Sequence, residues 1–267
     1  VYTARSLSYD DVTYERLEYP LSPFEREVYD ELAGAWQVVL TNVDEALELT
    51  GGGHSPHAKS AALSQFWGAH QRFFNQVLTA LQTPAVIEHM RAQIDAGNTA
   101  VVQLVNTNEA AQERIAAAAT AQGTALEELD FTPRQQLVDY VRNGFPVVAH
   151  EQVKDANGNV QWQPVKDSEG NPVFDQRAVA KRDALLETLG QIRVPENPLD
   201  SIINAFGIDQ VAEITGRGRR FVQTRDDDGT LRDTAERRGN TASRVEAEAF
   251  PADRNPVLGL SGAAGTG

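Results

Sequence analysis

Three short apolar runs constrain this chain more than any other feature: Thr99-Ala-Val-Val-Gln-Leu-Val105, Val211-Ala-Glu-Ile-Thr215 and Val257-Leu-Gly-Leu-Ser261. Each is too short for a helix and too continuously apolar for a strand with one wet face, as a buried parallel strand reads. Stretches of helical periodicity lie between them. Pro198–Phe206 precedes the second run and a segment near Ala242–Phe250 precedes the third. Strands alternating with helices predict an α/β lobe with a parallel sheet and flanking helices.

What precedes the first run is helical. Ser22-Pro23 supplies an N-cap and an N1 proline, and Glu25 completes a capping box. The apolar period then runs through Val28, Leu32, Trp36, Val39, Val43 and Leu47 and stops at Thr50-Gly-Gly-Gly53. A second helix is predicted from about Ala58 to Leu81. Pro84 is expected to break it, with a third helix over Ala85–Ala96. The organisation that follows is a helical region, 1–83, and a lobe, 84–267. That lobe carries a mixed helix and hairpin insertion at about 123–197. The insertion has helices at Arg134–Asn143 and Gln176–Leu189, and two polar turns, Asp155–Gly158 and Asp167–Gly170, flanked by Val160, Trp162, Val165, Val173 and Phe174. Glu109–Gln122 reads as an alanine-rich helix after the first strand.

Charge and residue inventory remove several classes of function. The chain has 267 residues with 38 acids and 24 bases, a formal net charge of −14, which argues against a general nucleic-acid coat protein but not against a local basic groove. Without cysteine there are no disulfides, thiolate metal sites or thiol nucleophiles. No apolar run approaches a membrane span, no targeting segment is visible, and cytoplasm is the default location. His54 and His57 share a loop that offers no acidic or thiol partner for a metal.

Three places at strand ends can meet an anion, because backbone amides converge at the carboxyl ends of parallel strands. The first is Gln103, with Asn106 and Thr107 at the following turn. The second is Thr215-Gly216, followed by Arg217, Arg219 and Arg220. From Arg217 to Arg238 seven arginines face five acids, a local +2 on a chain of −14, and arginine forks suit phosphate. An arginine- and aspartate-rich surface loop with internal ion pairs is the plain alternative. The third is Ser261-Gly-Ala-Ala-Gly-Thr-Gly267, where Gly262, Gly265 and Gly267 leave backbone accessible and Ser261 and Thr266 can donate. By spacing it also fits the start of a P-loop, which needs Lys and Ser/Thr next. A strand running into a Gly-rich turn normally feeds a helix, and with Val1 in place of Met the chain reads as a piece cut inside a functional loop.

Four strings in this order, Ala4-Arg-Ser-Leu-Ser-Tyr9, Val101-Val-Gln-Leu-Val-Asn-Thr-Asn-Glu-Ala110, Val211-Ala-Glu-Ile-Thr-Gly-Arg217 and Ser261–Gly267, resemble the C-terminal helicase-like half of the Strawberry notch group, in its bacterial or phage form. The resemblance implies a superfamily-two, ATP-hydrolysing helicase or translocase with two RecA-like lobes, of which this chain is the incomplete second. It implies nucleic acid as partner, DNA favoured, touched through Gln103, Asn106, Thr107, Thr215, Gly216, Arg217, Arg219 and Arg220. Ser261, Gly262, Gly265, Thr266 and Gly267 would form the loop coupling nucleic acid to nucleotide. ATP and Mg²⁺ would bind in the intact parent, with Walker residues on a missing N-terminal RecA-like lobe of the same polypeptide and an arginine finger after Gly267. The piece alone is expected to hold neither ATP nor Mg²⁺ and to hydrolyse nothing. A methylase region is a further possible partner. The family's last motif reads Ser-Asp-Ala-Gly-Gly-Thr-Gly, so Gly262 stands for an acid and Ala264 for a glycine, which implies loss of a water- or magnesium-linked contact. The rival expectations are a non-catalytic protein-interaction module with a degenerate lobe, and a P-loop kinase-like domain.

Overall fold

A computed structural model of the chain describes residues 12–104, 133–154, 158–190, 192–215, 219–225, 231–238, 244–246, 250 and 256–261. Helix α1, Pro23–Leu49, starts as its sequence dictates: the Glu25 amide donates to Ser22 Oγ (3.2 Å) and the Ser22 amide donates to the Glu25 carboxylate (2.7 Å). Its buried stripe is Val28, Leu32, Trp36, Val39, Val43, Ala46 and Leu47. Thr50 closes the last turn, and Gly51 follows at φ +73°, a left-handed conformation that favours glycine.

Helix α2, Pro56–Asp95, is capped by Ser55 and runs for 40 residues without interruption. The expected break at Pro84 does not occur, and Ala85–Ala96 is not a separate helix. Pro84 has no amide for the carbonyl four residues earlier, yet two hydrophobic cores grip the helix on either side of it. Phe66, Phe73, Phe74, Val77 and Leu81 belong to the first core, with the α1 stripe. Met90 belongs to the second, with Val86, Ile87 and Ile94 packed against it. Burial along both halves outweighs one lost hydrogen bond.

The insertion completes the first core. Helices α3 (Pro133–Gly144) and α4 (Gln176–Leu189) contribute Leu137, Tyr140, Val141, Ala178, Leu185 and Leu189 to it. Strands β2 (His150–Lys154) and β3 (Val160–Pro164) form the expected antiparallel ribbon, from His150 opposite Pro164 to Lys154 opposite Val160. The second polar turn is closed by Asp167, whose carboxylate accepts from the Glu169 and Asn171 amides. The His150 amide donates to the Thr50 carbonyl (2.7 Å) and so ties the ribbon to the end of α1.

The second core lies under a parallel sheet. Strands β1 (Ala100–Leu104), β4 (Val211–Ile214) and β7 (Val257–Ser261) pair in the order β1-β7-β4. Helix α5, Pro198–Phe206, covers them with Leu199, Ile202 and Ile203, capped by the Asn197 side chain. The chain is thus α/β, with parallel strands and flanking helices as its strand and helix alternation dictates, and its sheet is consistent with the partial RecA-like lobe that the resemblance implies. Between β4 and β7 lies an element the sequence reading missed: strands β5 (Arg219–Arg225) and β6 (Leu231–Arg237) form a second antiparallel ribbon where a surface loop or basic strip was expected. The helix read at 242–250 is described only at 244–246, where it is helical, and at 250. The helix read at 109–122 lies outside the described residues. Among the described residues no helix is long and apolar enough to cross a membrane.

Candidate nucleic-acid interface

All three strands of the sheet run in the same direction, so their carboxyl ends share one rim. The register puts Leu104 beside Ser261 and Ile214 beside Leu260. Thr215, the next residue, therefore stands level with Ser261. The middle strand is β7, so Ser261, its last residue, lies between the ends of β1 and β4. Gln103, exposed near the end of β1, lines a cleft of about 490 Å³ between α2 and β1. Asn106, Thr107, Gly216, Arg217, Gly262, Gly265, Thr266 and Gly267 lie outside the described residues.

Behind the rim is a buried ionic network that the sequence reading did not single out. Glu213, on β4, is fully buried. Its carboxylate accepts from Arg238 Nη1 (3.1 Å) and from the Thr215 hydroxyl. Arg238, whose side chain is 3 % exposed, also donates through Nη1 to Thr215 Oγ1 (3.3 Å), and through Nη2 to the Glu213 carbonyl (2.7 Å) and Glu246 Oε2 (3.3 Å). The Glu213 amide donates to the same Glu246 oxygen. One residue of β4 thus has its carbonyl bonded by Arg238 and its amide bonded by Glu246. Together these two side chains occupy the positions a further strand would fill. They finish the edge of β4, which among the described strands pairs only with β7.

The predicted arginines divide accordingly. Arg220 is buried, its Nε 2.8 Å from Glu236 Oε2 and its Nη1 3.6 Å from Glu246 Oε1. Its charge is balanced inside the protein. For Arg220 this is the internal ion pairing weighed as the plain alternative, with glutamates of the ribbon and helical turn as its partners. Arg219 starts β5 directly opposite Arg237. Thr215 is also internal: it is buried and its hydroxyl is committed to Glu213. Glu213 was legible as a charged residue inside an apolar run. Its partners Arg238 and Glu246, 25 and 33 residues away, carried no local signal.

A three-stranded parallel sheet packed on helices, with its carboxyl ends gathered on one rim, is the frame of a RecA-like lobe. Residues 197–267, which hold α5, β4, both strands of the arginine-bearing ribbon and β7, match the family model described as the C-terminal domain on Strawberry notch homologues. Over those residues the chain is similar to that C-terminal domain. It is 24% identical to Protein strawberry notch homolog 1 of Rattus norvegicus over 295 aligned positions, which cover 86% of this chain and 23% of that protein. It is 32% identical to Protein strawberry notch homolog 2 of Mus musculus over 110 residues, 41% of this chain and 8% of the relative. With Protein strawberry notch of Drosophila melanogaster the figures are 33% over 110 residues, 41% of this chain and 6% of the relative. The chain thus spans less than a quarter of the length of these relatives. No solved structure matches it.

Proposed function

We propose that this chain supplies the nucleic-acid face, and half of the nucleotide cleft, of an ATP-dependent helicase or translocase of the Strawberry notch type. The observation that carries this reading is the shared rim, on which β1, β7 and β4 end side by side, β4 and β7 lying in the stretch similar to the C-terminal domain of Strawberry notch homologues. Peptide amides at neighbouring strand ends, with arginines alongside, suit a sugar-phosphate backbone and read no base edges. Binding is therefore expected to be weakly sequence-dependent, with single-stranded DNA the favoured ligand.

The described residues bear on ATP and Mg²⁺ as well. The two carboxylates described at the rim, Glu213 and Glu246, are both engaged by Arg238. They are poor candidates for a magnesium site. The metal and the Walker residues belong, in this reading, to another RecA-like lobe of the parent polypeptide, and this chain alone hydrolyses no ATP. When bound there, ATP and Mg²⁺ supply the phosphoryl-transfer chemistry. The residues on this chain hold the track.

The test is fluorescence anisotropy of a labelled ~20-nucleotide oligo-dT, a length that spans more than one single-strand site, against the purified chain at several KCl concentrations. Binding that weakens steeply with salt, with similar affinity for a mixed sequence, is expected. Absence of binding at low salt would overturn the reading and favour a protein-interaction module.

A further inference from the structure

The cleft between α2 and β1 is a slot that leads to the rim. Its β wall is every residue from Thr99 to Leu104, and its helical wall is Thr79, Gln82, Val86, His89 and Gln93, spaced three or four apart as one face of a helix. Successive strand residues point to opposite faces, so lining by all of them means that the slot follows the edge of β1, on the side away from β7. Helix α2 ends at Asp95 and β1 returns beside it from Ala100, so the two walls run antiparallel. Thr79, Gln82 and Thr83 therefore stand at the same end of the slot as Gln103 and Leu104. Leu104 is level with Ser261, so this end opens on the rim. The floor is apolar: Val86, Met90, Leu104 and Ile202 line it and belong to the second core or pack on it. Among the described residues that line it there is no lysine, arginine, aspartate or glutamate. A phosphate drawn inside would be buried without a counter-charge.

The polar groups at the mouth are carboxamides. Gln93, at the far end, is committed, its Oε1 accepting from Asn98 Nδ2 (2.9 Å). The Thr79 and Thr83 hydroxyls donate within α2, to the carbonyls of Asn75 (2.7 Å) and Thr79 (2.8 Å). Gln82 and Gln103 are exposed at the mouth, and each carboxamide offers both donors and an acceptor. The volume of about 490 Å³ falls in the ~300–1,000 Å³ range of small-molecule sites. An uncharged ring with amide-like edges suits an apolar floor and a carboxamide mouth. We propose that the slot takes one unpaired nucleobase of a strand whose sugar-phosphate lies on the rim, with Gln82 and Gln103 at its polar edge and Val86, Met90 and Ile202 beneath it. This rests on the nucleic-acid reading above and adds a base site to its backbone contacts. A group that both donates and accepts serves any base, so the site does not impose a sequence.

The experiment compares oligo-dT with an abasic oligomer of the same length and charge, on wild type, Gln82→Ala and Val86→Phe. Free thymidine, which carries no phosphate, is added separately while the His89 ring protons are followed by NMR. Wild type is expected to bind oligo-dT several-fold more tightly than the abasic oligomer, with equal salt slopes because the phosphates are the same. Gln82→Ala should shrink that ratio and Val86→Phe, which fills the slot, should abolish it, both leaving the affinity for the abasic oligomer unchanged. Thymidine should shift the His89 signals in wild type and not in Val86→Phe. Gln82 is exposed, so its variant tests the site even where Val86→Phe disturbs the second core. Equal affinity of wild type for the two oligomers would overturn the proposal while leaving the rim reading intact, and would leave the slot to an extended peptide pairing on the β1 edge. A Gln82→Ala loss that is the same for both oligomers would overturn it too, by making the effect structural. Should neither oligomer bind at low salt, the rim reading falls, and an unshifted His89 in thymidine would then overturn the base site as well.

Discussion

Arg238 holds Glu213 twice, by the carboxylate through Nη1 at 3.1 Å and by the backbone carbonyl through Nη2 at 2.7 Å. One side chain thereby neutralises a fully buried acid and completes the hydrogen bonding of the strand that bears it. The residue between Glu213 and the rim turn, Ile214, is spanned by this grip, since Arg238 also reaches the Thr215 hydroxyl.

Removing either member leaves an uncompensated charge in a dry site. Glu213→Ala is expected to cost about 3–5 kcal/mol, and Glu213→Gln less, because the amide oxygen still accepts from Arg238. The double variant Glu213→Ala/Arg238→Ala should lose clearly less than the sum of the single losses. Urea unfolding followed by circular dichroism measures all of these, and simple additivity would mean that the pair is not coupled.

The helical body depends on Trp36. It is 1% exposed and meets Phe66 and Phe73 edge-on at 5.4 Å. Trp36→Ala should cost about 3–5 kcal/mol. Trp67, 48% exposed on the same aromatic cluster, should cost about 1 kcal/mol or less when changed to Ala. Equal losses in thermal or urea unfolding would contradict this placement of the core.

His70 makes that cluster sensitive to acid. It packs against Trp36, Trp67 and Phe74 with ring centroids at 5.3, 5.4 and 4.6 Å, and burial holds its imidazole below the ordinary 6.5. A depressed base binds fewer protons folded than unfolded. Its contribution is complete above pH ~6.5 and is lost as pH falls from there toward the folded value. Stability measured between pH 8 and 5 should fall less steeply for His70→Phe than for wild type, and parallel curves would refute the assignment.

Two glycines separate backbone strain from crowding. Gly51 (φ +73°) and Gly97 (φ +85°) both adopt left-handed backbone. A Cβ at Gly51 would stand 2.8 Å from the Trp162 ring and 3.0 Å from the His150 carbonyl, whereas at Gly97 it would meet nothing within 4 Å. Gly97→Ala should cost about 1 kcal/mol, and Gly51→Ala clearly more. Thermal unfolding that ranked them in reverse would show that the β2–β3 ribbon does not pack on the end of α1.

Local rules settle much of this chain before any tertiary contact is considered. Ser22, Pro23 and Glu25 fix where α1 starts, Asn197-Pro198 fixes where α5 starts, and the valine-rich runs read as buried strands because short-range capping and burial pattern are written in consecutive residues. Pro84 is where that reading fails. Its local effect is a single missing hydrogen bond, and the two cores that grip α2 on either side of it override that loss. The arginine-bearing ribbon escaped notice for a related reason: polar strands at 219–225 and 231–237 have no apolar alternation to announce them, and they are held by Arg220 and Arg238 reaching Glu236, Glu246 and Glu213. By itself the sequence determined the class of fold and the parallel direction of the sheet's strands. Only the tertiary structure decided that the strand ends lie level in the order β1-β7-β4, that Arg220 is spent internally, and that Arg219 stands opposite Arg237 in the ribbon's register. Register and ionic partnership depend on residues far apart in the chain, and no local pattern encodes which of them will meet.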